Sequence, residues 1–276
     1  MDNYMCVAEM EVQAKSLWDA ATRAYYVEGS DDQITLRENR KAYERFYIIP
    51  RYLVGIKSVD TSSTLFGKKY SMPIHCSPSA LQKLAHPDGE VGTAKACKDM
   101  NIIMSVSILS SSSYAEITKG SSLNSTHWVQ VYVLSDRSKT LKQIEIAQRY
   151  NFEALVVTID APVLGYRRSS KHLQLVDKPH VRYAMLNTIE NSMDKKDELI
   201  YKFLLQFDKK SVSWNDIKWL RSITKMKIIV KGVNSIHDAL MAVEVGCDAV
   251  WISNHGGRQL DSCPLRYIFC PRLNAL

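Results

Sequence analysis

Short apolar runs recur along the chain and each ends in polar residues: 72–76, 102–106, 128–133, 154–159, 227–230 and 249–252. A run that is apolar without alternation is the pattern of a strand buried on both faces. Between the runs the apolar spacing becomes helical. Leu141, Ile144, Ala147 and Gln148 share one face, and Asn151 is placed to stop that helix. Ser213 and Ser235 each stand three residues before an acid, Asp216 and Asp238, an acidic form of the capping box. Ile217, Leu220 and Ile223 then make one buried stripe, and Ala239, Ala242 and Val243 another. Strand and helix in alternation predict an α/β fold on a parallel sheet, either a barrel or a doubly wound sheet.

The residues at the carboxyl end of each strand separate the two. The ends read Ser77-Pro78-Ser79, Ser107, Gln130 with Tyr132, Thr158 with Asp160, Lys231-Gly232, and Ser253-Asn254-His255. A (β/α)8 TIM barrel assembles its site from many carboxyl-end loops at once. A doubly wound sheet gathers its site at one switch point and usually carries a glycine fingerprint after its first strand. Here Cys76-Ser77-Pro78-Ser79-Ala80 stands in that place, so the barrel is the expected fold. Residues 165–212 are rich in Lys, Arg, Asp and Ser with weak periodicity, and read as a mobile insert or lid near the site.

Composition narrows the class. Of 276 residues, 46% are apolar and 24% charged, the balance of an ordinary globular chain with a sizeable core. No apolar run approaches the roughly 18 residues of a membrane span, and the first thirty residues show no secretory pattern. The net charge of +7 is scattered along the chain, which argues against a nucleic-acid arm, although a basic module for anionic partners stays as an alternative. Six cysteines without a regular spacing read as reduced thiols of an intracellular protein, and no metal site is expected. Glycine is scarce, 11 of 276, leaving little for a glycine-rich phosphate cradle.

The segment with the sharpest chemistry is Ser253-Asn254-His255-Gly256-Gly257-Arg258-Gln259-Leu260-Asp261. It sets a base that titrates near neutrality three residues from a fixed planar cation, with two glycines that allow close backbone approach. That pairing suits proton removal beside a carboxylate. The alternative is a plain Asn-His-Gly-Gly turn with a solvated Arg. Taken singly, Tyr25 and Tyr26 could be packing residues, Lys231 a solvated lysine and Asp160 a turn former.

The string resembles the active-site signature of the FMN-dependent α-hydroxy acid dehydrogenase family, the group of glycolate oxidase, lactate oxidase and flavocytochrome b2. Five further segments are similar in order and spacing. They are Tyr25-Tyr26 with Gly29, Asp31 and Asp32; Met72-Pro73-Ile74 through Pro78-Ser79-Ala80; Gln130-Val131-Tyr132; Thr158-Ile159-Asp160-Ala161-Pro162 with Gly165 and Arg167; and Val230-Lys231-Gly232. The resemblance implies FMN as cofactor and oxidation of a small 2-hydroxy acid to a 2-oxo acid, with oxygen giving hydrogen peroxide, or another protein, as acceptor. It implies His255 as base and Asp160 as its partner. Arg258 and Arg167 would grip the substrate carboxylate, and Tyr25 and Tyr132 would bond substrate oxygens. Lys231 would sit near flavin N1 and O2. Pro78, Ser79, Ala80, Ser107, Gln130, Thr158 and Ser253 would line the flavin. It leaves open whether the α-hydrogen leaves as proton or hydride.

The departures carry expectations of their own. Leu109 stands where these oxidases often have Trp, which favours longer or aromatic acids. His75 and Ser77 replace apolar or small residues, and Arg167-Arg168-Ser169-Ser170-Lys171 lacks the acids often found there. After Asp261 the family's pattern is not seen, so residues 1–261 are read as the flavin domain, 262–276 as an unrelated tail, and the barrel as lacking its last two strands. On that basis open sheet edges, poor folding and weak FMN retention are expected, and an inactive homologue, alone or paired with full-length subunits, is the second reading. A homo-oligomer is left open. The compartment is expected to be peroxisome or cytoplasm, although Asn274-Ala275-Leu276 is not a peroxisomal S-K-L signal.

Overall fold

The computed structural model of the chain describes residues 4–122, 125–168, 181–190 and 212–263. In chain order the helices are α1 (Val7–Leu17), α2 (Ala20–Val27), α3 (Ile34–Lys41), α4 (Gly89–Asp99), α5 (Tyr114–Ser121), α6 (Arg137–Arg149), α7 (Ala184–Glu190), α8 (Trp214–Ile223) and α9 (Ile236–Glu244). The strands are β1 (Ser63–Leu65), β2 (Lys68–Tyr70), β3 (Met104–Val106), β4 (His127–Val131), β5 (Ala154–Thr158), β6 (Lys227–Val233) and β7 (Ala249–Ile252). The first two strands form a small hairpin. The other five make one parallel sheet in the order β3-β4-β5-β6-β7. Each strand is followed in sequence by its spatial neighbour and the order never reverses, which is barrel winding without a switch point.

The sheet is apolar on both faces, as the continuous runs imply. Met104, Val106, Val129, Val131, Leu155, Val157, Ile228 and Val230 point outward onto the helices, with Ile144 and Ala147 of α6, Ile217 and Leu220 of α8, and Ala239 and Ala242 of α9. The helix signals hold in detail. Asn151 takes a left-handed φ of 58° after α6. Ser213 and Asp216 form a reciprocal capping box, and Ser235 accepts the Asp238 N–H at 3.0 Å.

Three expectations need correction. The run 72–76 is not a strand: only Cys76 bridges to Met104. Pro73 has no N–H to give, and His75 Nδ1 accepts the Ile103 N–H at 3.2 Å, so a side chain occupies the place of a ladder bond. Val243 is 73% exposed and Gln148 is exposed, because each lies about 100° around its helix from the preceding buried alanine. Within the supposed insert, residues 181–190 are ordered core. Met185, Leu186 and Ile189 of α7 are buried at helical spacing, and the Ala184 N–H reaches Ser110 O at 3.1 Å. Residues 169–180 and 191–211 of the expected insert, and the tail from 264, lie outside the described residues.

The amino-terminal segment is strapped onto the loop after β7. The Ser30 N–H donates to Gly257 O at 2.9 Å, and its hydroxyl to Gln259 O. Asn39 and Asn254 exchange amide bonds at 3.2 and 2.7 Å. A Cβ on Gly29 would sit 2.8 Å from Gly257 O, so only glycine admits this contact. Asp261 caps α3 from across the sequence, accepting the Ile34 and Thr35 N–H groups at 3.1 and 2.8 Å. Burial pushes its carboxyl up, yet the Thr35, Ser262 and Ile34 N–H groups together hold it down at about 2. A folded carboxyl below its unfolded value contributes stability above about pH 4, and loses it as pH falls toward about 2. Replacing Asp261 with Ala should lower unfolding stability by ~1 kcal/mol near neutral pH. Urea melts of wild type and variant should converge as pH approaches 2; a constant gap across that range would remove the cap from the account.

Candidate active site

Side chains alternate along a strand, so the residues between the outward ones face inward. Trp128 of β4, Ala154 and Val156 of β5, Ile229 of β6, and Ala249 and Trp251 of β7 pack with Tyr70 and Ile103 into an apolar inner cluster. Two residues further along each strand the same inward rows become polar: Gln130, Thr158, Lys231 and Ser253. These rim a pocket of about 470 Å³ at the carboxyl end of the sheet.

One wall is already bonded to itself. Gln130 donates to Thr158 Oγ1 at 3.1 Å and accepts the Ile108 N–H at 3.1 Å, while the Ser107 hydroxyl lies 3.4 Å from Gln130 Oε1. Pro78, Ser79 and Ala80 form the neighbouring wall. The Tyr26 hydroxyl lies 3.0 and 2.8 Å from Ala80 O and Leu81 O and fixes that segment.

At the opposite side His255 Nδ1 lies 2.7 Å from Asp160 Oδ1. Lys231 Nζ is 3.7 Å from the other carboxylate oxygen. With a carboxylate at Nδ1, that nitrogen carries the proton and Nε2 keeps the lone pair. Burial lowers the His255 pKa below that of free imidazole; Asp160 opposes this, and Lys231 and Arg258 reinforce it. Gly232 makes the cluster fit. It has φ of +111°, and a Cβ there would sit 2.6 Å from Asp160 Cβ.

Two guanidiniums stand nearby. Arg258 Nη1 donates to Glu28 O at 3.0 Å, and its planar head lies 5.3 Å from the Tyr25 ring centre. Burial and then the adjacent Arg167 lower its pKa to about 10, which leaves it charged at neutral pH. Arg167 Nη2 reaches Arg258 O at 3.5 Å, while its buried Nε has no hydrogen-bond partner. Burial raises the hydroxyls of Tyr25 and Tyr132, so both stay protonated donors.

Tyr25, Pro78, Ser79, Ala80, Ser107, Gln130, Tyr132, Thr158, Arg167, Lys231, Ser253, His255 and Arg258 all line this pocket. Asp160 stands behind His255 and is not on its surface. The pocket also takes in Leu164, Tyr183, Trp251 and Gln259, which sequence reasoning passed over. Trp251 was findable, being two residues before Ser253 on one strand face. Tyr183 was not, because it comes from the segment read as a loose insert.

The sequence profile described as FMN-dependent dehydrogenase matches residues 14–268. A 2-hydroxyacid oxidase of Dictyostelium discoideum is 36% identical over 96% of this chain and 67% of its own length. A peroxisomal (S)-2-hydroxyacid oxidase of Arabidopsis thaliana is 39% identical over 96% of this chain and 72% of its own. Among solved structures, a mandelate oxidase variant holding (S)-mandelic acid superposes with TM-score 0.82 at 28% identity, covering 95% of this chain and 71% of that one. A protein assigned as lactate oxidase from Pediococcus acidilactici gives TM-score 0.88 at 26% identity, over 99% and 72%.

The donor set agrees with the cofactor in the family's name. Small residues and a proline form one flat wall, an amide and hydroxyls form the polar edge, and one lysine supplies positive charge at the mouth of the barrel. Sequence match, barrel winding and pocket chemistry therefore converge, and the chain belongs to the FMN-dependent dehydrogenase family.

Proposed function

We propose that the chain oxidises 2-hydroxy acids to 2-oxo acids with FMN, and that oxygen takes up the electrons to give hydrogen peroxide. The observation that carries this reading is the convergence of His255, paired with Asp160 at 2.7 Å, on a pocket that the part-buried Arg167 and Arg258 also line. Arg167 and Arg258 line the same pocket and offer planar N–H forks, which a substrate carboxylate would match. Bound FMN supplies the acceptor for two electrons. Lys231 would hold the N1 and O2 side of its ring, where positive charge favours the anionic reduced form. Gln130, Thr158, Ser107 and Ser253 would bond its polar edge, with Pro78, Ser79 and Ala80 against its face.

In this reading His255 Nε2 takes a substrate proton as oxidation begins at the α-carbon. Asp160 holds the imidazole and stabilises its charged form. Arg258 and Arg167 clamp the carboxylate, and Tyr25 and Tyr132 donate to substrate oxygens. Leu109 and Leu164 leave an apolar side open for a substituent, which supports longer or aromatic acids. The mandelate oxidase neighbour, solved with an aromatic 2-hydroxy acid, supports the same preference. A peroxisomal home is supported by the names of the Arabidopsis relatives alone.

The test is peroxide formation by the full chain supplied with FMN and a panel of (S)-2-hydroxy acids. His255→Gln should cut turnover about 10²–10⁴-fold while flavin absorbance is retained. In the wild type, kcat/KM should rise with pH as His255 loses its proton, with the midpoint of that limb below about 6.5, the free-imidazole value. Asp160→Asn should shift that limb further down, since Asp160 opposes the lowering. A variant at His255 with near-normal rates would remove it as the base.

Arg258→Lys should reduce kcat/KM for acids by about tenfold or more, roughly 1.4 kcal/mol, because a point charge replaces a planar fork. Neutral 2-hydroxy amides should lose little. Equal losses for acid and amide would end the clamp.

Leu109→Trp should move preference on the order of tenfold from aromatic toward short acids by filling the open side. An unchanged ratio of mandelate to glycolate turnover would show that Leu109 does not bound the substituent.

A further inference from the structure

The loop after β5 carries both Asp160 and Arg167, and the turn after β7 carries both His255 and Arg258. Each pair must meet across a gap that no strand ladder spans, because β6 lies between β5 and β7. Besides the His255–Asp160 and Arg167–Arg258 contacts themselves, the Gln259 side chain joins the two loops. Gln259 is 6% exposed and donates from Nε2 to Val163 O at 2.7 Å and Asp160 O at 3.3 Å. Its Oε1 accepts the Gly165 N–H at 3.1 Å. The backbones are pressed together there: a Cβ on Gly165 would fall 2.1 Å from Arg258 O.

We propose that Gln259 is a positioning residue for the reaction, its amide fixing the separation of Asp160 from His255 and setting Arg167 beside Arg258. The inference rests on the roles given to those four residues above. Two carbonyls and one N–H face the side chain, so it must offer donors and an acceptor from one planar group, which is what a primary amide provides. Glutamate offers no donor when ionised, and asparagine is one methylene short of spanning both loops. Without the amide, three part-buried backbone groups lose this partner and the two loops lose a common reference.

The consequence can be read without turnover. The groups that bear on the His255 imidazole are Asp160, which favours its charged form, and Lys231 and Arg258, which oppose it along with burial. If Asp160 drifts away, the imidazole should titrate at lower pH. The experiment follows the His255 ring by NMR titration in the full chain, assigned by its loss in His255→Gln, and measures oxalate binding by calorimetry. Gln259→Met, of matching volume, should lower the His255 midpoint and weaken oxalate binding tenfold or more. In an Asp160→Asn background the same change should add no further midpoint shift, because the partner it positions is already gone. Gln259→Asn should fall between wild type and Gln259→Met, and it carries the same measurements should Gln259→Met not fold. An unmoved midpoint, or a shift that adds in full to that of Asp160→Asn, would overturn the proposal. Failure of the wild-type chain to bind oxalate would count against the carboxylate clamp, and the His255 titration then decides alone on Gln259.

Discussion

Everything in the pocket is arranged around the approach of Asp160 to His255. The two side chains come from strands that are not neighbours, so the strand between them has to yield. β6 does so at Gly232, where a Cβ would lie within 2.6 Å of Asp160 Cβ. The residue before that glycine faces inward and brings Lys231 Nζ to 3.7 Å from the second carboxylate oxygen. A carboxylate this deeply buried would cost several kcal/mol if left alone. Held between an ammonium and an imidazole, it orients the ring while burial keeps that ring neutral.

The two arginines follow a different logic. They are adjacent and alike in charge, and part of the lowering of Arg258 comes from Arg167. The bonds that hold them run to backbone carbonyls, Glu28 O for Arg258 and Arg258 O for Arg167. A carbonyl fixes a guanidinium in place without neutralising it, so the pair keeps its attraction for an anion. Glu28 belongs to the amino-terminal segment, which is tied to the β7 loop through Ser30, Asn39 and the Asp261 cap. The beginning of the chain is therefore part of the site's foundation, although it contributes no strand to the barrel.

How much of this was legible in the sequence varies with the physical origin of each feature. Strand ends were legible because inward and outward positions alternate and the polar switch falls at the same level on each strand: Gln130, Thr158, Lys231, Ser253. Helix starts at Ser213 and Ser235 were legible because capping is a contact between residues three apart. The run 72–76 misled because its apolar character is right while its ladder is interrupted, by Pro73 and by the His75 ring, and pattern alone does not register a donated bond. Val243 misled because a small apolar residue beside a buried stripe looks like part of it. Residues 181–190 were passed over because their apolar spacing sits amid charged neighbours.

By itself, then, the sequence determined the winding of the fold, most of the residues that line the pocket and the family to which they belong. All of these depend on residue type and on separations along one strand or one helix. The tertiary structure alone decided how those residues meet. It placed Asp160 behind His255 rather than on the pocket wall, set Arg167 against Arg258 at the pocket, made Asp261 a cap for a helix more than two hundred residues away, and gave Gln259 its span between two loops. Each of these is a contact between segments far apart in the chain. Nothing local encodes such a distance; it is set by the order in which parallel strands stack and by the few ångströms that a glycine, in place of any other residue, leaves between them.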